Sequence, residues 1–214
     1  TILGSNVSFD NLAVSCDLGS ATAQGEWDLS NFTPEKIDEI LKQSGSSVRG
    51  EIDLATLAKM FPETLRIRND TTITAGRIGF QLEGQPTSGL PVWTAAVTTS
   101  EIVADRNGKP IRWERPIAVN ISAFSGKQGP VFQQIRCESD FINLNGSGTT
   151  EQGSITINGD LDALVRNVRD LIDIDQYQLQ GKLGGKINWG FSNAGQTTAS
   201  TVLEVQQFAL SGPG

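Results

Sequence analysis

Apolar and polar residues alternate through much of the chain, and the longest alternating run lies near its end. From Tyr177 to Phe191, apolar residues or glycines occupy every second position, and mainly Gln, Lys and Asn stand between them. Alternation sustained over about fifteen residues predicts a strand of roughly 50 Å. Ordinary strands have about five or six residues. The pattern therefore predicts an unusually long strand with one apolar face and one face toward water.

Shorter alternating runs joined by turn residues account for most of the remaining sequence. The Asn-Gly pair within Asp105–Gly108 indicates a tight hairpin turn, and 125–129 and 192–195 are further turns. Because sequential strands joined by short turns pair antiparallel, we predict a mostly β fold built on a long antiparallel, curled meander sheet. The other predicted strands are Val92–Val103, Lys109–Trp113, Ile117–Phe124, Val131–Ser139, Phe141–Gly146, Ser154–Asn158 and Thr197–Leu210.

Three short amphipathic helices are predicted between the strands, over Pro34–Gln43, Leu54–Phe61 and Leu161–Ile172. The last two begin directly after Asp53 and Asp160, whose carboxylates can accept hydrogen bonds from the free N–H groups of a helix start. We expect two to three of these helices to pack on one face of the sheet, which gives a β-rich α+β fold.

One pattern occurs twice in the chain, which suggests two degenerate repeat units. Asp-Leu-x-x-Leu opens a helix, and a strand that begins with a basic residue and Ile follows it. The two occurrences are Asp53–Leu57 with Arg77–Leu82, and Asp160–Leu164 with Lys186–Phe191. The alternative is a chance similarity between two β-rich stretches.

The residues upstream of each occurrence also match. Phe9-x-x-Leu12-x-Val14 resembles Phe132-x-x-Ile135-x-Cys137, and Gly25 aligns with Gly148. We therefore divide the chain into residues 1–90, a first β-helix-β repeat unit, and residues 91–214, an antiparallel meander plus the second unit. Since such a unit cannot bury its own apolar face, the two are expected to stack as one continuous module.

The amino-acid composition and net charge exclude several classes of function. The 214 residues include no histidine, which removes Ser-His-Asp and Cys-His catalysis and ordinary His-based zinc sites. No carboxylate pair suggests a glycosidase-type site, so we expect a non-catalytic chain without metal or cofactor. The net charge of −7 argues against nucleic acid as a partner. Cys16 and Cys137 are either small apolar side chains within strands or, if their strands are neighbours, a disulfide.

The repeated unit resembles the AsmA-like and TamB-like envelope proteins. The similarity rests on Gly50–Leu57, which reads Gly-x-Ile-Asp-Leu-x-x-Leu, and on the glycine-punctuated run Leu179–Trp189. It covers residues 5–90 and 130–210. The resemblance implies a segment of a larger, repetitive protein in the periplasm or cell envelope of a Gram-negative-type bacterium, with the parent anchored in the inner membrane.

The same resemblance implies a function in phospholipid transport or outer-membrane assembly, performed by an amphipathic β-sheet without catalytic residues. We expect phospholipid or an outer-membrane assembly partner to meet the apolar face, and no transmembrane segment in this chain, because no run of 18 apolar residues occurs. The predicted lipid-contacting residues are Ile78, Phe80, Leu82, Leu179, Leu183, Ile187, Trp189 and Phe191.

Two alternatives remain open. The helices could cover the apolar face, in which case these side chains form an ordinary core. The chain could instead be a periplasmic or cell-surface module that binds protein or glycan through exposed aromatic residues, for which Trp113 is the best candidate. Exposed sheet edges also predict association between copies of the chain.

Overall fold

The computed structural model describes residues 2–3, 6–28, 45–85, 92–114, 117–126, 129–174, 178–191 and 197–211. The strands are β1 Ile2–Leu3, β2 Asn6–Cys16, β3 Gly19–Asp28, β4 Ser47–Asp53, β5 Thr71–Ala75, β6 Arg77–Gln85, β7 Val92–Thr99, β8 Ile102–Arg106, β9 Lys109–Trp113, β10 Ala118–Gly126, β11 Gly129–Glu138, β12 Ile142–Thr149, β13 Gly153–Asp160, β14 Gln178–Phe191 and β15 Thr197–Ser211. The helices are α1 Leu54–Met60, α2 Pro62–Leu65 and α3 Leu161–Val168. The predicted helix Pro34–Gln43 lies outside the described residues.

One large antiparallel sheet organises the described part of the chain. Its twelve strands follow the order β1-β2-β3-β4-β6-β7-β10-β11-β12-β13-β14-β15, and every neighbouring pair is antiparallel. The sheet is open, with β1 and β15 at its edges, and does not close into a barrel. The predicted fold class, a mostly β antiparallel meander with a few short helices, is confirmed.

The predicted strand Val92–Val103 is divided between two sheets. β7 belongs to the large sheet, whereas β8 pairs with β5 and β9 in a three-stranded sheet. The chain changes direction at Ser100, whose N–H donates to the carbonyl oxygen of Arg77 at 2.8 Å. Four polar residues, Thr98–Glu101, separate the apolar positions of β7 from those of β8, and the predicted strand was wrongly extended across them.

The hairpin turn between β8 and β9 has the predicted Asn-Gly geometry. Asn107 and Gly108 have φ angles of 53° and 79°, and the Gly108 N–H donates to Asp105 Oδ1 at 2.9 Å. Both central residues therefore occupy the left-handed region that a two-residue hairpin turn requires.

Both predicted aspartate caps are present. Asp53 Oδ1 accepts a hydrogen bond from the Thr56 N–H at 2.7 Å, and Asp160 Oδ1 accepts one from the Ala163 N–H at 2.8 Å. The hydrogen bonds from Thr56 hold the pKa of Asp53 below its usual range. The helix after Asp160 is shorter than predicted, because it ends at Val168 and Ile172 instead forms an isolated β-bridge with Ile67.

The three insertions that the structure describes leave the large sheet from the same end. One insertion, α1-α2-β5, connects β4 to β6; a second, β8-β9, connects β7 to β10; and α3 connects β13 to β14. We call these elements, together with residues 169–174, the end cap. Its core consists of Ile102, Ala104 and Leu171, with Leu54, Ile73, Ile111, Trp113 and Ile172 packed against them.

A cluster of ion pairs joins the end-cap elements that come from different parts of the sequence. Arg106 contacts Asp70 at 2.9 Å and Asp170 at 3.0 Å, and Arg68 contacts Asp70 at 3.2 Å. The hydrogen bond from Arg106 contributes most to holding the pKa of Asp70 below its usual range, and Arg68 adds to it. The cluster therefore ties the β8-β9 hairpin to the segment after α3.

The strand register changes one part of the alignment between the two repeated stretches. Asp53 pairs with Arg77, and the corresponding Asp160 pairs with Lys182. Arg77 thus corresponds to Lys182, four residues before the Lys186 that the sequence alignment matched with it. Because four is an even number, the apolar positions of both strands still lie on the same face.

Candidate functional site

The register of the large sheet places apolar side chains from eleven consecutive strands on one face. Paired residues in antiparallel strands lie on the same side of a sheet, so the pairings can be followed from β2 to β15. We call this surface the apolar strip. One member from each strand, in spatial order, is Val14, Ala21, Val48, Phe80, Val97, Ile121, Ile135, Leu144, Ile155, Ile187 and Leu203.

The residues predicted to bind lipid fall into two groups on this strip. Ile78, Phe80 and Leu82 lie on β6, and Leu183, Ile187 and Trp189 lie on β14. Leu179 lies near the start of β14, before the bulge at Gly181, and Phe191 ends the strand with its side chain outside the described part. Six strand spacings, about 29 Å, separate β6 from β14.

The strands between these groups carry residues that the sequence reasoning missed. Val97, Ile121, Ile135, Leu144 and Ile155 connect the two groups across the sheet. Each belongs to a strand whose alternation was visible in the sequence. The missing information was the register, since only the pairings show that all of these side chains face the same way.

Large side chains of the strip lie over glycines of the neighbouring strand. A Cβ atom added at Gly50 would overlap the Phe80 ring, one at Gly84 would overlap the Trp93 ring, and one at Gly153 would overlap the Trp189 ring. The pairs are Gly50 with Phe80, Gly84 with Trp93 and Gly153 with Trp189. The glycines therefore supply the room in which these rings lie against the backbone.

Trp189 is fixed in this position by a hydrogen bond as well as by packing. Its indole Nε1 donates to the carbonyl oxygen of Thr149 at 2.9 Å. An indole N–H in an apolar surface needs such a partner, because placing an unpaired donor against hydrocarbon costs free energy. The ring face stays available as apolar surface while its polar atom is satisfied.

The strip does not form a conventional buried core. The buried apolar side chains among the described residues are Ala58, Ile102, Ala104, Ala163 and Leu171, and all five belong to the end cap. Side chains of the strip are half-buried or exposed; Val14 is 64% exposed and Leu203 57%. The described helices chiefly contact β14, β5 and β4.

Helix α3 meets β14 only near the beginning of that strand. Asp162 Oδ2 accepts a hydrogen bond from the Gly181 N–H at 3.2 Å, which marks where the helix lies. Trp189 is eight residues further along, or about 26 Å at 3.3 Å per residue. An eight-residue helix is about 12 Å long, so α3 does not extend over Ile187 and Trp189.

A shallow apolar depression of about 240 Å³ lies on the strip near the β2 edge. Cys16, Ala21, Ile52 and Phe80 are among the residues that line it. Cys16 is exposed there. The lining at this end thus combines small side chains with larger ones.

The opposite face of the sheet is polar. Arg49 forms an ion pair with Glu83 across β4 and β6, and Arg136 pairs with Glu138 along β11. The hydrogen bond from Arg49 holds the pKa of Glu83 below its usual range. At β4, β6 and β11 the sheet is therefore amphipathic, with ion pairs on one face and hydrocarbon on the other.

Trp113, the candidate for an exposed binding aromatic, lies in the end cap. Its ring centroid is 5.9 Å from that of Phe141, and the residue packs against the core around Ile102 and Leu171. The Trp113 Nε1 atom is buried without a hydrogen-bond partner. This residue therefore serves packing and is not an exposed loop tip.

The cysteines are too far apart for a disulfide. Cys16 on β2 and Cys137 on β11 are separated by six strand spacings, about 29 Å, whereas a disulfide needs Cα atoms within about 7 Å. Both thiols are free, and burial raises the pKa of Cys137, with the nearby Glu138 adding to the effect.

Within the described ranges, no group of three or more Cys, Asp or Glu side chains is arranged to hold a metal ion. None of the helices in that part of the chain has the length and apolar character to cross a bilayer. Comparison of the chain with protein-family models, curated proteins and solved structures finds no match. The geometry of the strip is therefore the basis for assigning a function.

Proposed function

We propose that the chain is a non-catalytic segment of an AsmA-like cell-envelope protein, and that its apolar strip carries phospholipid acyl chains during lipid transport or outer-membrane assembly. One observation carries the proposal: apolar side chains continue across eleven strands, yet the buried apolar side chains of the described residues all belong to the end cap. The resemblance of Gly50–Leu57 and Leu179–Trp189 to AsmA-like sequences supports the cellular setting.

Hydrocarbon surface of the strip in contact with water is energetically unfavourable. Burying apolar surface contributes roughly 25 cal/mol per Å², so an uncovered strip favours contact with any suitable apolar partner. Scattered exposed apolar residues need no explanation, whereas a contiguous surface of this kind marks a binding site. An acyl chain fits such a strip because it has no polar groups that would lose hydrogen bonds there.

The dimensions of the strip suit acyl chains. Ten strand spacings from β2 to β15 give a length of about 48 Å across the sheet. From Ile78 to Gly84 along β6, its width is about 20 Å. One leaflet of a bilayer contributes about 15 Å of hydrocarbon, so a tail could lie along a strand without leaving the strip.

The alternative of a protein- or glycan-binding module has less support from the structure. It requires exposed aromatic residues at loop tips, and its best candidate, Trp113, packs within the end cap. The other tryptophans with described side chains, Trp93 and Trp189, lie on the strip and lean over glycines. No specific observation favours glycan over lipid as the partner of this surface.

The test is binding to vesicles of phosphatidylethanolamine and phosphatidylglycerol whose acyl chains carry bromine, which quenches tryptophan on contact. We expect quenching of Trp189 emission, measured in a chain whose other tryptophans are replaced by Phe. We also expect phospholipid to co-purify with the protein from an envelope lysate and to be identified by mass spectrometry.

A matched pair of variants distinguishes the effect of charge on the strip from the effect of the same charge on the other face of the strand. Leu183→Asp with Ile187→Asp places two carboxylates on the strip, whereas Gln180→Asp with Asn188→Asp places two on the polar face of the same strand. Circular dichroism must show both variants folded. Quenching that is lost only in the strip variant supports the proposal; equal quenching in both variants, or none in the parent chain, refutes it.

A further inference from the structure

The structure builds the same strand arrangement twice, and the first strands of the two arrangements lie at a constant separation in sequence. Leu3 pairs with Asn6 and Gly126 pairs with Gly129, so these two pairings are 123 residues apart. At the same separation, Phe9 pairs with Gly25 and Phe132 pairs with Gly148. Both of these pairs stand next to a β-bulge, and their glycines have φ angles of 158° and 149°.

Main-chain hydrogen bonds repeat the correspondence at the start of each capped helix. The Asp53 N–H donates to the Leu18 carbonyl oxygen at 2.8 Å, and the Asp160 N–H donates to the Phe141 carbonyl oxygen at 2.8 Å. Leu18 and Phe141 are again 123 residues apart. Chance similarity of two β-rich sequences does not explain a shared bulge, a shared cap and a shared hydrogen bond.

The correspondence continues to the last strand of each unit. Arg77 on β6 corresponds to Lys182 on β14, since each pairs with the capping aspartate of its unit. In the next pair of strands, Ile78 faces Thr99 and Leu183 faces Val205. β15 is therefore the equivalent of β7, with Val205 in the position of Thr99 and Leu203 in that of Val97.

The two equivalent strands differ in what lies on their outer side. β7 is joined there by β10, the first strand of the second unit, with Val97 facing Val119 and Ala95 facing Ile121. β15 has no neighbour on its outer side among the described strands. The outer edge of β7 is thus paired with a strand of the next unit, whereas the equivalent edge of β15 has no partner among the described strands.

β15 has few of the features that protect an edge strand from pairing, and its bulge at Gln207 and Phe208 lies toward its end, beyond Val205. Its fifteen residues contain no proline or basic residue, and Glu204 is their one charged residue. Its exposed fractions are 60% for Val202, 47% for Val205 and 53% for Phe208. A long, apolar edge of this kind offers a row of unpaired N–H and C=O groups to another strand.

We infer that the outer edge of β15 is a docking site for the first strand of a further unit, a β10-type strand that adds to the sheet antiparallel. The occupant is an uncharged strand that alternates apolar and polar residues, as β10 does from Ala118 to Phe124. The register of the internal junction fixes the pairing: a residue in the position of Val119 faces Leu203, and one in the position of Ile121 faces Thr201. Docking in this register extends the apolar strip by one strand.

The probe is a synthetic peptide with the sequence of residues 117–126, added to the purified chain. Register is measured by disulfide trapping in a chain with Cys16→Ser, Cys137→Ser and Leu203→Cys. A peptide with Cys in place of Val119 is expected to form the mixed disulfide at least tenfold faster than one with Cys in place of Asn120, whose side chain faces the other side of the strand.

Hydrogen exchange then reports on the edge without any cysteine. We expect the native peptide to slow exchange of alternate β15 amides at least tenfold, while a scrambled peptide of equal composition has no effect. Equal trapping at both cysteine positions, or no protection by the peptide, would overturn the inference. Protection of β15 that rises with protein concentration and excludes the peptide would also overturn it, since a second copy would then occupy the edge.

Discussion

The packing of Trp189 over Gly153 can be tested by replacing the glycine with alanine. The added Cβ would overlap the indole ring and would lie 2.7 Å from the carbonyl oxygen of Ser147. Because that oxygen belongs to the backbone of β12, it cannot move away as a flexible side chain would. The ring must rise from the sheet, and its hydrogen bond to the Thr149 carbonyl oxygen must lengthen or break.

The expected cost combines two effects. Overpacking by a methyl group typically costs about 1–3 kcal/mol, and the loss of one hydrogen bond costs about 0.5–1.5 kcal/mol. We therefore expect Gly153→Ala to lower the free energy of unfolding by about 3 kcal/mol. For a chain of this length, that corresponds to a decrease in Tm of roughly 6–12 °C.

The assay is urea unfolding followed by circular dichroism, with Gly190→Ala as the matched control. Gly190 is adjacent to Trp189, but a Cβ there would have no atom within 4 Å, so its replacement should change stability by less than about 0.5 kcal/mol. A double-mutant cycle with Trp189→Leu separates the ring overlap from the clash with Ser147. Equal stability of the two alanine variants would refute the described packing.

Three further outcomes are expected. Asp160→Ala should lower the free energy of unfolding by about 1 kcal/mol in urea titrations, because it removes the cap of α3, whereas Asp160→Asn should retain most of the stability. Arg106 lowers the pKa of Asp70 from its ordinary value of 3.8, so the stability that this carboxylate contributes is fully present above that value and is lost as the pH falls through the lower folded-state pKa. In thermal scans from about pH 5 to pH 2, the Tm of Asp70→Asn should therefore decrease less steeply than that of the parent chain. Equal slopes for the two proteins would contradict this. Cys16 should react with a thiol reagent at pH 8 faster than Cys137, whose pKa is raised, and a Cys16→Ser variant should show only the slow phase.

Much of the fold follows from local patterns in the sequence. The alternation in β14, the Asn107-Gly108 turn and the caps at Asp53 and Asp160 each depend on residues close together in the chain. Alternation and turn chemistry act within a few residues, so a sequence states them directly. These features were sufficient to predict an antiparallel meander with short capped helices.

The end cap was not predictable from such patterns. The sequence pattern was interpreted as one strand from Val92 to Val103. Ile102 and Ala104 instead lie in a separate sheet and form the core with Leu171. Three insertions from distant parts of the chain must meet before that core exists. The register of β14 was also beyond local reasoning, because the pairing of Asp160 with Lys182 depends on where the chain returns after α3.

The same topology has a consequence for how the protein assembles. Apart from the insertions, each strand of the large sheet pairs with the strand before and after it, so most pairings close short loops. The end cap differs, since the Thr71 hydroxyl donates to the carbonyl oxygen of Asp170 across 99 residues of sequence. Low contact order favours rapid growth of the sheet from any hairpin, while the end cap can close only when both halves are in place. Folding should therefore show a fast phase that forms the strands and a slower one that buries Ile102 and Leu171.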